Sequence, residues 1–464
     1  MSRPSRAPDP ASQSRLADAL MQEEDKLLTC VHCGFCLPVC PTYVRLDNEA
    51  DSPRGRLHLM RAVVEGRLDP ADEGFRTHID QCLGCRACEP VCPSGVRYGF
   101  LLERARAVIR SEVAPGPLER ALLWTMRRRW ATRLLVGAGA LLRDSGLARL
   151  LMKAMPGRAK FALAMLAGSR AARRRNPSRA DLAGRQPAAM LDGCVQRVLF
   201  ARVNHATRSA LEGAGYDVRP APGQGCCGAL HAHAGRLEEA RALARANVTA
   251  FGATDGAIVV NAAGCGAFMK EYGELLERSD VADAARAVAE RVVDVSEALA
   301  RHARHAHVWE TDADAPAPGD AEANTEARQR SMVARRSQGG GKGRLKVAYD
   351  EACHLHHGQR VAEEPYALLR AIDAIELVPL RRADECCGGA GTYGLTHPDL
   401  GGRILRDKID AILDSGADIV ATANPGCMLQ IGAGLALRGS DVEVVHPVEL
   451  VARYGGDTGM RDGG

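Results

Sequence analysis

Eight of the chain's sixteen cysteines fall in two copies of one pattern, C-x2-C-x2-C-x3-C-P, and no other feature restricts the fold so tightly. The first copy is Cys30-Val-His-Cys33-Gly-Phe-Cys36-Leu-Pro-Val-Cys40-Pro41, and the second is Cys82-Leu-Gly-Cys85-Arg-Ala-Cys88-Glu-Pro-Val-Cys92-Pro93. Three thiols at two-residue gaps make a tight loop that can wrap one side of a compact inorganic core, with Gly34 and Gly84 easing the turn. Each proline removes an N–H and helps the chain turn away.

In two-cluster ferredoxins such runs exchange their fourth ligand. By that logic Cys30, Cys33, Cys36 and Cys92 hold one 4Fe-4S cluster, and Cys82, Cys85, Cys88 and Cys40 hold the other. Structural zinc is the alternative, but zinc sites normally use two separated C-x2-C pairs. His32 is expected beside the ligands, not among them. Two neighbouring one-electron centres suit a module that passes electrons onward.

The chain is 464 residues long, enough for two or three compact units, and its net charge of +4 gives no reason to expect a nucleic-acid partner. The first residues are polar with no apolar core of a signal peptide behind them, so a reducing cytoplasm is the expected compartment. The Leu- and Ala-rich stretch from Leu134 to Ala167 is broken by Arg143, Arg149, Lys153, Arg158 and Lys160, so no membrane span is expected.

The composition divides the chain. Residues 1–21 read as a disordered tail, and 22–112 as a helical ferredoxin-like unit, with Leu57, Met60 and Val64 at helical spacing between the runs. Residues 113–186 form a basic helical linker carrying Arg127, Arg128, Arg129, Arg133, Arg170, Arg173, Arg174, Arg175 and Arg179. Such a segment suits peripheral docking on an anionic membrane surface or an acidic partner, or simply solvated helices between domains. Spacing does not separate these readings.

The remainder is a duplication. Ala188–Cys194 matches Val347–Cys353, Gly225-Cys-Cys-Gly228 matches Glu385-Cys-Cys-Gly388, Ala257–Cys265 matches Asp418–Cys427, and Val292–Glu297 matches Val444–Glu449. Strands alternating with helices predict a largely parallel sheet in each repeat, 187–302 and 344–464, with a flexible insertion over 303–343. The expected fold class is thus α+β multidomain: an N-terminal α-helical two-cluster ferredoxin module followed by two duplicated α/β cysteine-rich domains.

Each repeat carries four thiols in one order, Cys194, Cys226, Cys227 and Cys265, then Cys353, Cys386, Cys387 and Cys427. Ligands of parallel sheets gather beyond the carboxyl ends of strands, where the first and last thiols of each set are expected. A further iron-sulfur cluster, a zinc ion and a dithiol remain open for these additional sites, although an adjacent Cys-Cys pair rarely closes a relaxed disulfide on itself. His231, His233, His354, His356 and His357 are expected mostly as surface groups or supports of the ligands.

Two such runs ahead of two Cys-Cys-Gly repeats resemble the family of glycolate oxidase iron-sulfur subunits. More broadly, the repeats are similar to the cysteine-rich domains of heterodisulfide reductases and of the anaerobic glycerol-3-phosphate dehydrogenase small subunit. The stretches that carry the glycolate resemblance are Ser52-Pro-Arg-Gly-Arg56, Asp192-Gly-Cys-Val-Gln196, Ala263-Gly-Cys-Gly-Ala-Phe-Met-Lys-Glu-Tyr272, Cys386-Cys-Gly-Gly-Ala-Gly-Thr-Tyr393 and Thr422-Ala-Asn-Pro-Gly-Cys427.

The resemblance implies an electron-transfer subunit of an oxidoreductase complex. A separate FAD-bearing flavoprotein subunit would oxidise glycolate to glyoxylate, and this chain would carry the electrons towards a quinone or similar acceptor, in the cytoplasm or peripherally on the inner face of the cell membrane. Lactate or glycerol-3-phosphate as the fuel, or thiol-disulfide chemistry at the repeats, are the alternatives. Heterodisulfide reductases end the repeat on a C-x2-C pair, whereas Phe268 and Gln430 stand at those places here, which puts a five-thiolate cluster in doubt.

Overall fold

The computed structural model describes residues 18–169, 185–305 and 344–454. Most of the expected tail, the insertion beyond His305 and the arginines at 170, 173–175 and 179 lie outside the described residues.

Helices come first: α1 (Pro41–Leu46) after the first cysteine run, α2 (Pro53–Val64) and α3 (Glu73–Asp80) between the runs, and α4 (Tyr98–Glu112) after the second. Side-chain caps set their starts. Ser52 Oγ accepts from the Gly55 N–H at 2.9 Å with Pro53 in the first turn, and Asp72 Oδ1 accepts from the Phe75 N–H at 3.0 Å. The apolar faces of α2, α3 and α4 close over one small core containing Leu57, Met60, Phe75, Ile79, Leu101 and Ile109. Against that core pack Cys30, Cys36, Cys82, Cys88 and Cys92.

The two cysteine runs fold alike. The second and fourth residues after the leading cysteine are left-handed in both: His32 (φ 56°) and Gly34 (φ 91°), then Gly84 (φ 63°) and Arg86 (φ 65°). The turns that follow repeat as well. Leu37 N–H donates to Gly34 O at 2.9 Å and Cys40 N–H to Leu37 O at 3.2 Å, as Glu89 does to Arg86 O at 2.9 Å and Cys92 to Glu89 O at 3.1 Å. Gly34 and Gly84 therefore occupy different steps of the same loop, and His32 and Arg86 hold the matching left-handed steps in spite of their side chains.

The basic segment forms helices α5 (Pro117–Arg127), α6 (Arg129–Asp144), α7 (Leu147–Ala154) and α8 (Gly157–Gly168). Strands β1 (Gln186–Met190), β2 (Tyr216–Arg219), β3 (Ala257–Val260) and β4 (Val292–Asp294) then make a parallel sheet of order β2-β1-β3-β4. Strands β5 (Leu345–Asp350), β6 (Ile375–Val378), β7 (Ile419–Thr422) and β8 (Glu443–Val445) repeat it as β6-β5-β7-β8, again all parallel.

Matching helices follow the inner and outer strands: α9 (Ala263–Lys270) and α10 (Val295–His305) in repeat 1, α11 (Pro425–Leu437) and α12 (Pro447–Tyr454) in repeat 2. Helix α10 runs three residues into the stretch expected as insertion, 303–305. The same reciprocal cap opens α10 and α12: Glu297 Oε2 accepts from Asp294 N–H at 2.8 Å, and Glu449 Oε2 from His446 N–H at 2.9 Å.

The repeats do not stand as separate bodies. One core runs through both, from Phe200, Val203 and Val259 to Ile409, Val420 and Ile431. Ala263 N–H donates to Ala423 O at 3.0 Å across the joint. Helix α8 crosses α11 backbone against backbone: a Cβ on Gly168 would lie 2.3 Å from the Gly432 carbonyl carbon, and one on Gly432 2.9 Å from Gly168 O.

Candidate metal centres

In a parallel sheet of order 2-1-3-4 the connections diverge between the first and third strands, and the crevice beyond their carboxyl ends is the place where ligands bind. Cys194 follows β1 and Cys265 sits in the first turn of α9 after β3, while Cys353 and Cys427 hold the equivalent places after β5 and β7. The adjacent pairs close the sets. In repeat 1 contacts run Cys194 to Cys226, Cys226 to Cys227, and Cys227 to Cys265, the last with sulfurs 3.0 Å apart. In repeat 2 they run Cys353 to Cys386, Cys386 to Cys387, and Cys387 to Cys427.

The sixteen thiols are all free of disulfides. Among the described residues no three His, Cys, Asp or Glu side chains converge as the ligands of one ion would. A four-iron core is a different demand, since its thiolates stand apart around a multi-atom body.

The ferredoxin-like runs differ sharply in depth. Cys40, Cys82, Cys85 and Cys88 are buried and feel one another's charge, whereas Cys33 is exposed and Cys30, Cys36 and Cys92 are half-buried. Burial first, and then the neighbouring Cys386 and Cys85 respectively, push the Cys85 and Cys88 thiols well up, so as bare thiols they stay protonated. Ligation by iron reverses that preference, because a metal binds the thiolate.

Beside this buried set lies Arg56, fully buried itself. Its Nε donates to His78 O at 2.6 Å, Nη1 to Thr42 Oγ1 at 3.1 Å and Nη2 to Asp51 Oδ1 at 3.3 Å. Thr42 Oγ1 in turn lies 3.2 Å from Cys40 Sγ, and Tyr98 O–H donates to Cys82 Sγ at 3.5 Å. Burial pulls the Arg56 guanidinium down, but Cys82, Tyr98, Cys40 and Asp51 outweigh it and hold the charge firmly on. A fixed cation and a hydroxyl thus face two thiols whose metal-bound form is anionic.

The buried run also touches both repeats. Leu83, Cys85 and Ala87 pack with Cys353, Cys386, Tyr393, Leu400 and Ile404 of repeat 2, and Tyr393 O–H donates to Gln81 O at 2.8 Å. Towards repeat 1 Arg86 pairs with Glu271 at 2.6 Å, and Glu103 Oε1 meets His233 Nδ1 at 2.8 Å. Arg45 ties α1 to repeat 2 through Glu385 at 2.7 Å and Asp407 at 2.5 Å.

Behind the repeat 2 thiols, Lys408 is buried against Asp350 at 2.8 Å and donates to the carbonyls of Arg382 and Ala383. Hydrogen bonds from Cys353 and Cys387, with a smaller contribution from Lys408, hold the Cys386 thiol well below the usual range despite its burial.

Of the two roles expected for the histidines, the surface one does not describe His231, His357 or His354, and His354 Nδ1 lies 3.8 Å from Cys353 Sγ. His231 and His357 are buried, and His354 stacks on His233 with ring centroids 5.2 Å apart in the joint between the repeats. Phe268 and Gln430, where a further cysteine might have stood, are both buried and fill that space with side chains of their own. Arg56 and Lys408 were missed by sequence reasoning. Arg56 lies in a stretch the sequence does single out, Ser52-Pro-Arg-Gly-Arg56, whereas nothing distinguishes Lys408 along its helix.

Helical double-cluster loops joined to two cysteine-rich α/β repeats define an iron-sulfur protein of the electron-transferring kind. Comparison with known proteins agrees: residues 26–96 match the 4Fe-4S dicluster domain, and residues 188–270 and 347–432 each match the cysteine-rich domain. The chain is 34% identical over 456 residues to the probable glycolate oxidase iron-sulfur subunit of Bacillus subtilis, covering 94% of this chain and 95% of that one. It is 33% identical over 454 residues to the glycolate oxidase iron-sulfur subunit of Escherichia coli, covering 95% and 98%. Lactate utilization protein A of Exiguobacterium sp. is 27% identical over 259 residues, 56% of this chain and 94% of that one. The chain belongs to the glycolate oxidase iron-sulfur subunit family.

Proposed function

We propose that the chain is the electron-transfer subunit of a glycolate-oxidising complex, taking electrons from a separate flavoprotein subunit and passing them towards a quinone or similar acceptor. The clusters supply one-electron carriage, held on Cys30, Cys33, Cys36 and Cys92 and on Cys82, Cys85, Cys88 and Cys40. The observation that carries this reading is the continuity of thiol groups from surface to interior: a first run that reaches the surface at Cys33, a second run buried at Cys82, Cys85 and Cys88, and Cys353 and Cys386 packed with Cys85. Thiol-disulfide catalysis at the repeats is less well supported, because Phe268 and Gln430 fill the places of a closing C-x2-C pair.

Prepared anaerobically, the chain should contain about eight iron and eight sulfide per molecule in its two cubanes, or more if the repeats add a cluster. A purified flavoprotein partner with glycolate should bleach its visible absorption, and lactate or glycerol phosphate should not. Stoichiometric zinc without sulfide would sink the proposal, and bleaching by lactate alone would transfer it to another 2-hydroxy acid.

The same reading includes peripheral association with the inner membrane face. No helix among the described residues is long and apolar enough to cross a membrane. Helix α6 nevertheless exposes Trp130 (58%), Leu134 (65%) and Leu141 (74%) along one side while Thr132 and Val136 turn to the protein on the other. From Pro117 to Gly168 ten basic side chains face two acidic ones, the balance that draws a helix to anionic lipid. The chain should co-sediment with phosphatidylglycerol vesicles and remain in solution with phosphatidylcholine, and L134S/L141S should abolish the binding. A wild-type chain left in the supernatant with both lipids would remove the membrane from the proposal.

A further inference from the structure

The two cysteine runs are copies of one loop, yet their outer faces end differently. In the second run Leu83 is 5% exposed, Cys85 is buried, and both pack with Ala87 against the Cys353 and Cys386 site of repeat 2. At the same three steps of the first run stand Val31, 67% exposed, Cys33, exposed, and Phe35, 63% exposed. The left-handed steps and the turn hydrogen bonds match between the loops, so these are the same face twice. One copy is covered by the thiols of repeat 2, and the other is left uncovered by the described residues. A lone exposed valine needs no explanation, but two large apolar groups flanking an exposed thiol, at the equivalent of a buried contact, mark a surface built to be covered.

We infer that the Val31–Cys33–Phe35 face is the docking surface for the electron-donating flavoprotein subunit, seated on the first run as repeat 2 is seated on the second. The inference rests on the proposed function and adds where the donor binds. Electron tunnelling falls steeply with separation, so a donor must bring its flavin close to a ligand that reaches the surface, and among the eight cysteines of the two runs Cys33 is the exposed one. Apolar contact around that thiol excludes water from the crossing and supplies the dry centre of an interface. Two electrons and two protons leave glycolate for the partner's flavin. The electrons cross this face singly while the protons pass to water, so the flavin returns to its oxidised form and this chain gains two electrons.

The test uses the full, cluster-loaded chain with the purified flavoprotein subunit and glycolate. The V31S/F35S variant should bind the flavoprotein at least tenfold more weakly and lose the same factor in the second-order rate of flavin-driven reduction. Its iron content and its rate of reduction by dithionite should match the wild type. In the unaltered chain, backbone hydrogen exchange over residues 28–36 should slow when the flavoprotein is added. Unchanged affinity and rate in the variant overturn the inference, as does protection confined to another surface such as the Trp130–Leu141 side of α6. If the variant is short of iron, the exchange measurement decides. Protection of 28–36 that grows with the chain's own concentration, without flavoprotein, assigns the face to a second copy and overturns it too. A wild-type chain that flavoprotein and glycolate do not reduce at all brings down the proposed function, and the docking assignment with it.

Discussion

Arg56→Met should lower stability by about 3–5 kcal/mol and strip iron from the buried centre while leaving the outer one loaded. The guanidinium is fully buried and serves three acceptors at once, His78 O, Thr42 Oγ1 and Asp51 Oδ1. Removing it leaves the buried Asp51 carboxylate with His78 Nδ1, 2.9 Å away, as its nearest compensating group. It also removes the cation beside Cys40 and Cys82, two of the four thiols proposed for that centre. Arg56→Lys should rescue little, because a single ammonium cannot span three acceptors in different directions. Iron and sulfide analysis, EPR of the dithionite-reduced protein and anaerobic denaturant unfolding read the effect. A variant with full iron and a stability within about 0.5 kcal/mol of wild type would show that Arg56 supports neither the fold nor the centre.

Lys408→Met should be comparably severe, again about 3–5 kcal/mol. The ammonium is pulled down by burial, but Asp350 at 2.8 Å outweighs that and holds its pKa above the ordinary lysine range, while burial pushes the Asp350 carboxyl up. Without the cation, Asp350 keeps Thr422 Oγ1 as a donor at 2.9 Å but loses its counter-charge. Its folded-state pKa then rises further above the unfolded value, so the native state binds the proton more tightly and the variant's deficit shrinks as pH falls. It grows as pH rises through the folded pKa. The double variant D350L/K408M, which removes both charges, should recover most of the loss. Denaturant unfolding at several pH values checks both signs. A pH-independent deficit, or a double variant as unstable as the single, would show that the ion pair is not the cause.

Repetition made much of this architecture legible in the sequence. The matched segments Ala257–Cys265 and Asp418–Cys427 announced two equivalent strand-to-helix turns, and the structure has them in β3–α9 and β7–α11, each placing a cysteine in the first turn of its helix. Hidden from the sequence was everything that depends on one unit packing on another. Val31 and Leu83 are interchangeable as letters, and only the seating of repeat 2 on the second run makes one exposed and the other buried. The packing of the histidines was hidden for the same reason. His354 and His233 belong to different repeats, and their stacking requires the joint between the repeats to exist. Arg56 and Lys408 look like surface cations because charge is ordinarily solvated. Their burial follows from acceptors contributed by distant segments, as His78 O serves Arg56 and Asp350 serves Lys408.

The glycine-on-glycine crossing of α8 and α11 bears on how the relay runs. With two backbones in contact at Gly168 and Gly432 and one core threading both repeats, the linker helices are splinted to repeat 2 and leave no hinge at that crossing. A carrier that swings its redox domain between donor and acceptor is limited by the pace of that motion. A fixed conductor keeps its gaps constant, so its throughput is governed by spacing and by the potential at each station. In such a molecule the chemistry of side chains like Arg56, rather than any movement of the chain, is the natural means of directing electrons one way.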